Sequence, residues 1–105
     1  MPGIDLNYFI RQANKLTEKI EARKQELAAE SIEAQAGDGR VTVVANGNME
    51  IRSIKIDKAL IDPNDVAMLE DLVTAAVNAA LASSRQRQQT ELAKISGGIK
   101  IPGIT

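Results

Sequence analysis

The stretch Arg40-Val41-Thr42-Val43-Val44-Ala45-Asn46-Gly47-Asn48-Met49-Glu50-Ile51-Arg52-Ser53-Ile54-Lys55-Ile56 reads as two strands and a turn. Residues 40–45 are dominated by β-branched side chains, which pack well on a pleated surface. Asn46-Gly47-Asn48 is a strong hairpin signal, because Asn and Gly tolerate the positive φ angles of tight turns. Beyond it, Ile51, Ile54 and Ile56 recur through a second alternating run. Upstream, Ser31-Ile32-Glu33-Ala34-Gln35-Ala36 alternates polar and apolar residues with period two, and Gly37-Asp38-Gly39 supplies another turn. Three short antiparallel strands are expected.

Both flanks carry helical spacing. On the N-terminal side, Leu6, Phe9, Ala13, Leu16, Ile20 and Leu27 recur at steps of three and four, with Arg23 interrupting the series. Asp5 is a suitable N-cap, and Ile4 is expected to pack on Phe9 as a hydrophobic staple. The helix is expected from about Asp5 to Ala29. On the C-terminal side, Asp62-Pro63-Asn64-Asp65 offers a capping carboxylate at Asp62, a proline at the first helical position and a staple between Ile61 and Val66. The second helix runs through Leu69, Leu72, Val73, Ala76, Val77, Ala80 and Leu81, then Leu92 and Ile95, and is expected to stop at Gly97-Gly98.

The fold class that follows is α+β, α-β-β-β-α, with a small antiparallel sheet and two long helices. A chain of 105 residues fits one domain, expected over residues 1–98, with residues 99–105 as a flexible tail. One Phe, one Tyr and no Trp leave the core to Leu, Ile, Val and Ala, so it is thin. The absence of His and Cys excludes the usual neutral-pH proton shuttle, thiol nucleophiles, disulfides and the common zinc ligands. No signal peptide and no membrane-spanning run is read, so a cytoplasmic protein is expected. Paired carboxylates are poor catalytic candidates: Asp62 is better used as a cap, and Glu70 and Asp71 point about 100° apart on a helix. No enzyme, small-molecule substrate or cofactor is expected.

Helices of about 37 Å and 46 Å are too long for strands of about 23 Å to cover. Their distal apolar seams must pack on each other or on another chain, since exposed apolar surface forfeits about 25 cal/mol per Å². The sheet also has two open edges. A homodimer is therefore expected.

The residues Gly39, Val41, Val43, Asn46-Gly47, Ile51, Ile54 and Ile56-Asp57 carry a resemblance. So, above all, do Met68-Leu69-Glu70-Asp71-Leu72-Val73 with Ala75-Ala76 and Asn78-x-Ala80. In this order they resemble the YbaB/EbfC family of nucleoid-associated proteins. The resemblance implies a tweezer-like dimer whose strands form a shared core and whose helices project from it. It also implies DNA binding, with roles in nucleoid organisation and gene regulation, and no catalytic activity or cofactor.

Thirteen basic and fourteen acidic residues give a net charge of −1, so attraction to DNA must come from local charge segregation. Arg11, Lys15, Lys19 and Arg23 stand four residues apart, forming one stripe on the first helix. Like-charge neighbours at that spacing cost about 0.2–0.5 kcal/mol each, which a phosphate-binding face would retain. A plain solvated face remains the competing reading, with Glu18 and Glu26 as local neutralisers. Arg85, Arg87 and Lys94 lie near the end of the second helix, where the helix dipole alone favours cations. If the helices are antiparallel, these residues are expected to join Arg11 and Lys15 at the distal arm. Ser83, Ser84, Gln86, Gln88, Gln89 and Thr90 would add hydrogen-bonding groups there. There is no zinc-finger spacing, no helix-turn-helix signature and no aromatic pair for stacking, so low sequence specificity is expected. The rival reading is a chaperone-like scaffold dimer that clamps a polypeptide between its helical arms.

Overall fold

A computed structural model describes residues 5–96; the Ile4 staple, the Gly97-Gly98 stop and the expected tail lie outside the described residues. The chain runs α1 (Leu6–Ala28), β1 (Ile32–Ala36), β2 (Val41–Ala45), β3 (Ile51–Ile56) and α2 (Val66–Ser96), with a short 3-10 turn at Lys58–Leu60. The strands form one antiparallel sheet in the order β1-β2-β3. The molecule measures 78 × 26 × 16 Å.

Alternation decides which face of the sheet is covered. Val41, Val43 and Ala45 of β2 are fully buried, whereas Thr42 and Val44 on the opposite face are only half-buried. The buried set packs with Leu60 and with Ala76 and Ala80 of α2, and Leu69, Leu72, Val73 and Val77 border it. Alanines in that helix stripe let the backbone approach the sheet closely, which suits a chain with few large side chains. By length and composition alone α2 also meets the measure of a membrane span, a test that core helices pass as well.

The two helix starts differ in how far the sequence anticipates them. Asp5 caps α1 as expected, accepting a hydrogen bond from the Tyr8 N–H at 3.2 Å. At α2 the cap is Asp65, whose Oδ1 accepts from the Met68 N–H at 3.3 Å. Asp62 instead accepts from the Asn64 N–H at 2.9 Å and closes a turn before the helix, so Pro63 sits in that turn rather than at the first helical position. Ile61 and Val66, expected to staple together, are each more than half exposed.

The β2–β3 turn is the joint of the molecule. Asn46 organises it, its Oδ1 accepting from the Asn48 and Glu50 N–H groups at 2.9 and 3.1 Å. Gly47 donates to the Leu27 carbonyl at 2.8 Å, and a Cβ there would sit 2.8 Å from that same oxygen. This glycine is therefore needed for close approach, not for positive φ; the left-handed residue of the turn is Met49, at φ 62°. Met49 is held by Ser84, whose hydroxyl accepts from its N–H at 2.7 Å and donates to the Asn46 carbonyl at 2.6 Å. Asn48 completes the joint, donating to the Lys24 carbonyl at 2.8 Å and accepting from Gln88 at 3.1 Å. Both helices are thus pinned to one hairpin tip.

Replacing Ser84 with Ala leaves the carbonyl of buried Asn46 and the Met49 N–H without the hydroxyl that joins them, and an unsatisfied buried group costs about 1–3 kcal/mol. Ser84→Ala is expected to lower the urea-unfolding free energy by that order. An unchanged midpoint would show that the joint contributes little.

Candidate nucleic-acid interface

Below the joint the helices run antiparallel, and a cluster of ion pairs zips them together. Glu91 of α2 is at its centre, 7% exposed. Its carboxylate accepts from Arg23 of α1, from Lys94 at 2.6 Å and from Arg87 at 3.1 Å. Arg87 also grips Glu30 through two contacts, at 2.9 and 3.3 Å, while Arg23 reaches Glu26 and, at 3.6 Å, Glu30. Three cations therefore face three carboxylates.

The electrostatics follow from this density. Hydrogen bonds from Lys94 and then Arg23 hold the Glu91 carboxyl down to about 2 against an ordinary 4.5, outweighing its partial desolvation. The Arg87 guanidinium lowers Glu30 in the same direction, and the carboxylates raise Arg23 and Arg87.

The expected cation set divides accordingly. Arg23, Arg87 and Lys94 are engaged inside the molecule. Arg11, Lys15, Lys19 and Arg85 are exposed and make no ion pair among the described residues. Glu18 makes none with Lys15 either. The expected gathering of Arg11, Lys15, Arg85, Arg87 and Lys94 at the distal arm is not what the structure has. Arg87 pairs with Glu30, at the root of the arm, and Arg11 lies about 25 Å away from the end of α1. Lys94, nearer the tip, turns back to Glu91 at 2.6 Å. Ser84 is fully buried in the joint, so it is not a surface hydrogen-bonding group. Gln88 is likewise tied to Asn48.

Burial along α1 shows where the arm becomes free. Leu27 is fully buried, Ile20 and Leu16 are half-buried, and Phe9, Ile10 and Leu6 are exposed. Exposure thus increases toward the start of α1, and the stripe of Arg11, Lys15 and Lys19 lies along this outer stretch. At its end Tyr8 and Phe9 form an edge-to-face pair with ring centroids 5.7 Å apart. Glu30 and Glu91 are the residues that sequence reasoning missed. Glu91 was marked in part by its spacing, four residues after Arg87 and three before Lys94.

A carboxylate stabilised in the folded state contributes fully above its unfolded pKa and is lost as pH falls through the folded one. Thermal stability is therefore expected to decline between pH 4.5 and about 2 more steeply in the wild type than in Glu91→Gln. Parallel pH profiles would remove Glu91 as the cause.

Comparison with known proteins gives the architecture a family. A model of the YbaB/EbfC DNA-binding family matches residues 1–99. A nucleoid-associated protein of Myxococcus xanthus is 84% identical over 105 residues, covering 100% of both chains. One from Anaeromyxobacter dehalogenans is 48% identical over 101 residues, covering 96% of this chain and 98% of its own. Among solved structures, an uncharacterized protein from Helicobacter pylori superposes with a TM-score of 0.80 at 15% identity, over 89% of this chain and 98% of that one, and so shares the fold. With the sequence matched almost end to end and the α-β-β-β-α order in place, the chain belongs to the YbaB/EbfC DNA-binding family.

Proposed function

We propose that the protein binds duplex DNA as a homodimer with little sequence preference, and that it serves nucleoid organisation and gene regulation in the bacterial cytoplasm. The observation that carries this reading is the division of the cations. Arg11, Lys15 and Lys19 are exposed on one face of α1 without an ion pair among the described residues, while Arg23, Arg87 and Lys94 are neutralised inside the molecule. Phosphate contacts from such a stripe position a duplex without reading its bases. Arg85, exposed near the root of the arm, is a fourth candidate contact. Arg23, Arg87 and Lys94 serve DNA binding indirectly, by holding the arm.

The dimer part rests on β3. Ile56 and Ile54 pair with Val41 and Val43, and Ile51 pairs with Ala45, so all three project to the core face of the sheet. The helix lies over β1 and β2 and barely reaches β3, leaving these isoleucines 36–43% exposed beside an open strand edge. A second copy on this strand extends the core and protects the edge. The competing reading, a clamp for a polypeptide, is favoured by the exposed Leu6, Phe9 and Ile10 near the tip.

Two experiments test these readings. In gel-shift titrations at several salt concentrations, two or three phosphates per protomer give a log–log salt slope of about −4 to −5. Arg11→Glu/Lys15→Glu is expected to flatten it by about 4. Unchanged binding would displace the site, and no binding by the wild type would leave the polypeptide clamp. Separately, Ile54→Asp is expected to halve the mass seen by light scattering, and a dimer that survives it assembles elsewhere.

A further inference from the structure

The cationic stripe does not end at Arg11. Tyr8 stands three residues before it, so that Tyr8, Arg11, Lys15 and Lys19 follow one another along the same side of α1. The Tyr8 side is open at the tip: the residue is 50% exposed and its neighbour Phe9 56%. The two rings meet at 77°, an edge-to-face contact that restrains the tyrosine without burying it. Exposed apolar groups on a solvated helix need an occupant, and here the adjacent charge indicates which. The cations on the ring's own side of the helix, none of them paired among the described residues, select a polyanion, and one with flat apolar groups satisfies both the cations and the rings.

We propose that Tyr8, braced by Phe9, stacks on an unpaired or unstacked base of a nucleic acid whose phosphates run along Arg11, Lys15 and Lys19. The proposal rests on the reading of the arm as a phosphate-tracking surface and adds a base contact to it. Stacking on an aromatic ring accepts every base, so it is compatible with low sequence preference. It gives the arm a preference for distorted, mismatched or single-stranded DNA over a fully paired duplex.

Tyr8 is the only tyrosine and the chain has no tryptophan, so the intrinsic emission of the intact protein reports on this ring. The probes are fluorescein-labelled oligothymidylate, a fully paired duplex and the same duplex carrying a mismatched bubble. Tyrosine emission is expected to be quenched by oligothymidylate and by the bubble more than by the paired duplex. Tyr8→Ala is expected to weaken binding of the first two by at least about fivefold while the salt slope stays the same, and Tyr8→Phe to keep most of the affinity. A rise in DNA anisotropy with unchanged tyrosine emission would overturn the stacking role and leave phosphate binding intact. No anisotropy change with any probe at low salt would instead remove the phosphate-tracking reading itself. A change in the mass of Tyr8→Ala with unaltered DNA affinity would make the tip a self-association surface and overturn the inference.

Discussion

The β2–β3 hairpin tip lies so close to α1 that residue 47 has no room for a side chain, and this close approach is the constraint from which the rest follows. With Gly47 against the Leu27 carbonyl, Asn48 reaches both helices and the Ser84 hydroxyl bridges the two ends of the turn. α2 belongs to both packings, with its first half on the strands and its second half on α1. The hairpin tip is where these two packings meet. Every hydrogen bond in it joins a residue of the turn to a helix or to the turn itself, so no part can shift alone.

Beyond the joint, packing of apolar side chains gives way to charge. The seam of α1 becomes progressively exposed from Leu27 to Leu6, and the ion-pair cluster takes over where apolar burial thins. Ordinary exposed ion pairs contribute little. This cluster differs because Glu91 is almost fully covered and receives three cations at once, which a network exploits better than isolated pairs do. It also neutralises Arg23, Arg87 and Lys94 within the molecule, whereas Arg11, Lys15 and Lys19 farther out make no ion pair among the described residues.

Much of the architecture was readable because it rests on local rules. Strand alternation, the Gly37-Asp38-Gly39 turn, with φ angles of 64°, 56° and 84°, and the Asp5 cap all depend on residues within a few positions of one another. The second cap was misplaced because Asp62 and Asp65 both offer a carboxylate at plausible spacing, and only the turn geometry separates them. Gly47 was correctly read as part of a turn but for a different reason, since its requirement comes from Leu27, twenty residues earlier. The site was harder. Arg23 and Glu91 stand 68 residues apart, and nothing in either neighbourhood announces that they meet. A cation stripe read from one helix cannot show which of its members a second helix will neutralise.

The placement of the joint makes α1 a lever. From Ala28 to Leu6 the arm extends about 33 Å, so one degree of rotation at its root displaces its end by about 0.6 Å. A few degrees of play would carry a charged group past the phosphate it faces, since successive phosphates on a strand are separated by about 3.4 Å along the axis. Small errors at the pivot are thus magnified at the far end. The concentration of directional contacts around Asn46, Gly47 and Asn48 is what a long, slender pointer requires to keep its aim.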